Sequence, residues 1–222
     1  MMKKVNIAID GPAGAGKSSI SKEVAKKLGI VYVDTGAMYR ACAVYAIENG
    51  IEIEQNAIKP HLDDIKIDIN YNDEGQQIIL NGKDVSKRIR EQDATIGSSK
   101  IAVIPDVRLK LVDLQRELAK SKSVIMDGRD IGTYVLPDAD LKIYLTASVE
   151  ERARRRYLEM QQKGMECDIK EVEKDIKFRD KNDSEREFAP LRCADDAILI
   201  DSSDLNFDEV CDKIFKMIKE IL

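Results

Sequence analysis

Apolar residues in this chain gather in short, nearly continuous runs, separated by longer stretches where they recur every three or four positions. The runs cover residues 5–9, 30–33, 123–126, 141–145 and 197–200. Continuous apolar runs of that length suit strands buried on both faces of a parallel sheet. The stretches 18–28, 37–49, 106–119, 149–163 and 207–221 carry the helical period. In the first of them Ile20, Val24 and Leu28 share one face, and Gly29 supplies the stop. Strands alternating with helices predict a parallel α/β sheet.

One segment breaks this rhythm. Ile65, Ile67, Ile69 and Tyr71 alternate strictly with polar residues, which is the strand period. A turn is expected at Asn72-Asp73-Glu74-Gly75, then a run Ile78-Ile79-Leu80, then a second turn at Asn81-Gly82. Asn-Gly between apolar runs is a strong hairpin signal. Residues 63–98 therefore read as a small antiparallel insert on the α/β core. Residues 161–167, with Gly164 among them, read as a mobile connection between two basic helices.

Chemistry enters at the end of the first run. Gly11-Pro12-Ala13-Gly14-Ala15-Gly16-Lys17-Ser18, followed by Ser19, fits G-x-x-x-x-G-K-[ST] at every fixed position, between a predicted strand and a predicted helix. Glycines let the backbone come close to phosphate oxygens, and the N–H groups then form an anion site at a helix N-terminus. Lys17 is placed to reach the β- and γ-phosphates as a compact charge, and Ser18 offers a hydroxyl to Mg²⁺. The expected fold is thus a three-layer P-loop NTPase core with a parallel sheet, the antiparallel insert and a helical lid. A D-x-x-G switch and an N-K-x-D guanine reader are both missing, which argues against a GTPase.

Composition narrows the acceptor. The chain has 222 residues, 43% of them hydrophobic, and a formal net charge of −5. An acidic surface does not suit a general nucleic-acid binder or a translocating ATPase. Yet arginines gather late in the chain: Arg129, Arg152, Arg154, Arg155, Arg156, Arg179, Arg186 and Arg192. Local positive clusters on an acidic protein point to a small, highly charged anion. His61 is the only histidine and reads as a surface residue, so a histidine base is poorly supported. Four scattered cysteines, Cys42, Cys167, Cys193 and Cys211, read as reduced thiols. The run after Lys4 is too short for a secretory signal, and no stretch approaches the ~20 apolar residues of a membrane span. The expected setting is the cytoplasm, with no membrane or nucleic-acid partner, and the expected state is a monomer.

Two further signals follow predicted strands. Thr35, in Asp34-Thr35-Gly36, is expected to cap the next helix, and Arg40 on its first turns can fork onto a phosphate. Asp127-Gly128-Arg129-Asp130-Ile131-Gly132 sits at a strand's C-terminal end, where open α/β sheets bind ligands. Asp127, ending that strand, is the expected partner of Ser18 at the Mg²⁺ site.

Taken in order, GPAGAGKSS, VDTGAMYRA, PDVR, DGRDIGT, ERARRR and REFAPL resemble the bacterial cytidylate kinase family, from about Val5 to the C-terminus. The resemblance implies transfer of the ATP γ-phosphate to CMP and dCMP. It implies that the cytosine is read by Ser99, Arg108 and Asp130, and that Arg40, Arg129 and Arg186 grip the acceptor phosphate. It further implies Thr35 at a position where Ser is common, Arg179 and Asp183 near the ribose, and a lid over ATP built on residues 151–189, Arg156 included. The insert, about 63–98, would enlarge the monophosphate region, leaving 1–62, 99–150 and 190–222 as core. With Lys17, the three phosphate-gripping arginines form the expected catalytic set. A kinase for another small acceptor, such as UMP or a polyol, and a nucleotide-dependent binding switch are the alternatives.

Overall fold

The computed structural model describes residues 4–72, 75–162 and 164–222. Residues 1–3, the Asp73-Glu74 tip of the first expected turn, and Lys163 at the expected end of the fourth helix lie outside them. In chain order the elements begin β1 (Asn6–Asp10), α1 (Lys17–Leu28), β2 (Val31–Asp34), α2 (Thr35–Glu48) and the one-turn α3 (Gln55–Ile58). They continue with β3 (Ile67–Asn72), β4 (Gly75–Leu80), β5 (Lys83–Asp84), α4 (Gln92–Ile101) and α5 (Pro105–Ser121). The last third holds β6 (Val124–Gly128), β7 (Leu141–Thr146), α6 (Val149–Gln162), α7 (Ile169–Glu185), β8 (Ile198–Asp201) and α8 (Phe207–Lys219). The chain groups into two compact units: the part up to Val31 with Lys122–Leu222, and Tyr32–Ser121.

The five-stranded sheet has the order β2-β6-β1-β7-β8, and the first unit holds β6, β1, β7 and β8 with Val31 of β2. β1 pairs in parallel with β6 and β7, and β7 with β8; β2 joins through Val31, whose N–H donates to Ser123 O at 3.2 Å. The central strands are dry, as continuous apolar runs require: Ile7, Ile9, Ile125 and Leu145 are fully buried, each contributing about 1.5–3 kcal/mol. The run at 197–200 behaves differently from the expected two-sided burial. β8 is an edge strand, so Ile198 and Leu199 are exposed and Ile200 alone of its apolar residues is buried. α8 starts at an Asn206–Glu209 capping box and buries Val210, Cys211, Ile214 and Ile218, packing on α1. α6 and α7 pack together through Ala153, Val172 and Ile176.

In the second unit, β3, β4 and β5 form an antiparallel sheet with Ile67 opposite Leu80 and Ile69 opposite Ile78. Asn81 (φ 50°) and Gly82 (φ 81°) close β4 onto β5, with Leu80 opposite Lys83. Two left-handed residues in a two-residue loop are what the right-handed strand twist selects. After residue 84 the chain leaves the strand pattern: a 3₁₀ turn at Arg88–Arg90 leads into α4, which packs on α2. Thr35 is not the cap of α2. That role falls to Asp34, whose carboxylate accepts the Ala37 N–H at 2.8 Å, and Thr35 becomes the first helical residue. Among the described residues no helix is long and apolar enough to cross a membrane, and all four cysteines are free.

Candidate functional site

The glycine loop and its neighbours lie wholly in the first unit. β1 ends at Asp10, and the chain turns through Gly11 at φ 150°. A Cβ there would stand 1.9 Å from Leu145 O on β7, so glycine is required by close approach as well as by φ. The loop enters α1 through Gly16, with Ala13 and Ala15 turned inward and Gly14, Ser18 and Ser19 facing solvent. Lys17 is only 5% exposed, and its Nζ donates to Pro12 O at 2.7 Å. Burial pushes this ammonium down to about 7; the neighbouring Arg129 adds to the effect, and Asp127, Asp183 and Asp10 oppose it. Ser18 Oγ donates to Asp127 Oδ2 at 2.6 Å. One hydroxyl and one carboxylate at contact distance suit a hard cation such as Mg²⁺, which keeps several waters and takes the rest of its shell from substrate phosphates.

The back of the loop is held by the α6–α7 pair. Ala13 N–H donates to Asp180 Oδ1 at 3.1 Å, and Ala13 O accepts from Arg152 Nη1 at 2.9 Å. Arg152 Nη1 also meets Asp180 Oδ2 at 2.6 Å. Of the arginine-rich stretch, Arg152 is thus the residue that reaches the loop. Arg154 and Arg155 pair with Glu151, and Arg156 lies on the exposed face with Glu159 at 2.8 Å.

The end of β6 brings the next expected residues together. Arg129 Nε donates to Asp183 Oδ2 at 2.6 Å. Burial alone would lower the Arg129 pKa, but the carboxylates of Asp183, Asp127 and Asp180 outweigh it and raise the value. Asp130 Oδ1 faces Arg186 Nη2 at 3.1 Å, and both side chains are buried. Arg186 follows the last residue of α7 with extended backbone, and its Nε donates to Ala189 O at 2.6 Å. Arg179 pairs with Asp175, one turn back on α7, at 2.9 Å.

Beyond Asp130 the backbone winds into a single π-turn, Ile131–Val135, a feature that often marks functional segments. Asp10 holds its start: the carboxylate accepts the N–H groups of Ile131 at 2.8 Å and Gly132 at 2.7 Å. Burial raises Asp10 to about 6, nearby Asp130 adds to this, and the two N–H bonds and Lys17 oppose it. Asp180 belongs to no motif in the sequence. Asp10 had one usable signal, a carboxylate ending an apolar strand directly before the glycine loop.

The second unit holds the remaining expected residues. Arg40 on α2 donates to Asp34 Oδ2 at 2.9 Å, and Arg90 donates to the same oxygen at 3.1 Å. Burial favours a raised Asp34 pKa, but Arg40, Arg90 and the Ala37 N–H together hold it below the usual carboxylate range. The Asp34 N–H donates to Gln76 Oε1 on β4 at 2.7 Å, which ties the small sheet to the start of α2. Arg108 on α5 is 1% exposed; Nη1 donates to Ala102 O at 3.0 Å, and the guanidinium lies 5.4 Å from the Tyr39 ring centre. Such a deeply buried guanidinium needs both partners. Ser99 is half-buried on α4, and Thr35 is buried at the start of α2. Asp34 and Arg90 went unmarked, because a cap and a surface-like arginine have no periodic signature.

A family model described as cytidylate kinase matches residues 7–220. The chain is 52% identical over 222 residues to a protein named cytidylate kinase from Caldicellulosiruptor saccharolyticus, covering 100% of this chain and 98% of that one. It is 49% identical over 217 residues to a protein of the same name from Lactobacillus johnsonii, covering 97% and 94%. Among solved structures, an uncharacterized protein from Eubacterium ventriosum matches with a TM-score of 0.56 at 16% identity, covering 97% and 99%. That last likeness is one of fold alone.

Proposed function

Because the chain belongs to the cytidylate kinase family, we propose that this kinase transfers the γ-phosphate of ATP to CMP and dCMP, releasing ADP. The observation that carries the reading is the cation set of the first unit. Lys17 and Arg186 are buried, and Arg129 stands with them among Asp127, Asp130 and Asp183. Cations gathered beside a glycine loop and held in place by carboxylates are positioned to meet phosphate oxygens, and a triphosphate with a monophosphate supplies such oxygens.

In this reading the loop Gly11–Ser19 wraps the ATP phosphates, with Lys17 on the β- and γ-oxygens. Ser18 would hold Mg²⁺ with Asp127 behind it, and the bound ion would screen charge on those phosphates. Arg40, Arg129 and Arg186 neutralise the acceptor phosphate, so that its oxygen attacks the γ-phosphorus as the bond to the β-phosphate oxygen breaks. No general base is needed, because the acceptor is already an anion. Ser99, Arg108 and Asp130 read the cytosine, Asp130 accepting from the 4-amino group, while Thr35, Arg179 and Asp183 flank the nucleotide. Uracil presents an acceptor where cytosine presents that donor, and a site built on buried polar partners rejects such a swap strongly.

We assign residues 63–98 to monophosphate binding, 151–189, with Arg156, to a lid, and the rest to the core of a monomeric cytoplasmic enzyme. The test is ADP formation from ATP and Mg²⁺ with CMP, dCMP, UMP, AMP, GMP or no acceptor. Turnover with CMP and dCMP alone is expected. Equal turnover with UMP would remove the base-reading assignment, and hydrolysis independent of acceptor would replace the kinase reading with that of a nucleotide switch.

A further inference from the structure

We propose that Asp180 is a positioning residue that couples donor binding to acceptor binding through α7. The proposal rests on the reading of the site given above. Asp180 is bound at both carboxylate oxygens, one to the Ala13 N–H of the phosphate loop and one to Arg152. Arg152 is itself buried; its Nη1 returns to Ala13 O, and its Nε donates to Ala147 O at 2.9 Å. The packing behind this clamp is close: a Cβ on Gly14 would lie 3.2 Å from Arg152 Cβ and 3.5 Å from Ile176 Cδ1 of α7. A shift of the loop at Ala13 therefore strains the bonds that Asp180 and Arg152 make to it, and a shift of α7 strains the same bonds from the other side.

The same helix grips the other half of the chemistry. One turn beyond Asp180, Asp183 accepts from Arg129. Just past the helix end, Arg186 meets Asp130. A continuous line of contacts thus runs from Ala13 through Asp180 and α7 to the two residues at the end of β6 that the proposed function gives to the acceptor. Phosphates entering the loop bias the position of Ala13. An acceptor phosphate at Arg129 and Arg186 biases the far end of α7. When both ligands favour one placement of a shared rigid element, each tightens the other by the same factor.

The experiment measures the affinity of a non-hydrolysable ATP analogue with and without saturating CMP, in the wild type, Asp180→Asn and Asp180→Ala. CMP turnover by the wild type is measured first. The wild type is expected to bind the analogue about fivefold or more tightly when CMP is present. Asp180→Ala should bring that factor below about twofold while each separate affinity stays within about threefold. Asp180→Asn, which keeps an acceptor for Ala13 N–H but loses the ion pair, should fall between. Thermal unfolding followed by circular dichroism shows whether each variant is folded; should Asp180→Ala fail to fold, the Asn variant carries the comparison. Wild-type coupling retained in the variants, or absent from a wild type that phosphorylates CMP, would overturn the proposal. Equal weakening of both separate affinities with the coupling intact would reduce Asp180 to a structural residue. A wild type that does not phosphorylate CMP would instead sink the functional reading beneath it.

Discussion

The fold makes the Lys17 proton hard to keep. Burial, with Arg129 nearby, brings its pKa to about 7, against an ordinary lysine value of about 10.4. Donor phosphates would bring several negative charges to that nitrogen and restore full protonation. The unliganded protein is then about half protonated at Lys17 at pH 7 and about one-tenth protonated at pH 8. Binding of ATP at pH 8 should therefore draw about 0.9 proton from solution, and about 0.5 at pH 7. If only the ammonium form binds, affinity weakens toward tenfold per pH unit above 7. The folded pKa lies below the unfolded one, so the unfolded chain holds more protons between about pH 7 and pH 10. This lysine's contribution to stability accordingly becomes more favourable as pH rises through that window. Calorimetric titration with ATP and Mg²⁺ at pH 6, 7 and 8, in buffers of different ionisation enthalpy, reads the proton count directly. Lys17→Arg keeps a cation that does not titrate there, and it also subtracts the nucleotide's own protons. Proton uptake at pH 8 that is equal in the wild type and Lys17→Arg would refute the argument.

Two further outcomes follow from the loop and its neighbours. Asp10 has a folded pKa raised to about 6, so its contribution to stability is greatest below pH 4 and is lost as pH rises through 6. The shift corresponds to about 3 kcal/mol. Urea unfolding of the wild type relative to Asp10→Asn should change by that much between pH 4 and pH 7, and a difference independent of pH would count against it. Gly11→Ala would drive a Cβ onto Leu145 O and force β1 from β7. We expect a loss of about 3 kcal/mol or more, seen as a fall in Tm of about 6–12 °C, and a Tm within 2 °C of wild type would contradict it.

Most of the sheet was legible because a parallel core leaves a nearly continuous apolar run wherever a strand passes through it, Asn6 and Lys142 being the interruptions in β1 and β7. β8 misled for the same reason: an edge strand can carry Ile198 and Leu199 outward without changing its local pattern. The Asn81-Gly82 turn could be read from two residues, since few others accept its dihedrals. The helical part of the same segment could not, because α4 opens on a Glu91 N-cap with no side-chain cap bond and has a weakly apolar face. In the candidate site, Lys17, Ser18, Arg129 and Asp130 stood out through motif spacing. Asp10, Asp34 and Asp180 did not, because each works by accepting backbone N–H groups or pairing with an arginine distant in sequence. Such roles exist only once the chain has folded.

The sheet register carries a consequence for synthesis. β1 leaves the ribosome well before both of its neighbours, β6 and β7, which come from beyond residue 123; even the Val5 N–H waits for the Ser123 hydroxyl, 118 positions later. At about 5–20 residues per second, the strand that leads into the phosphate loop stays unpaired for roughly 6–24 s. Tyr32–Ser121, a compact unit in its own right, emerges during that interval. The nascent chain thus presents an apolar strand with both edges open until β6 and β7 arrive.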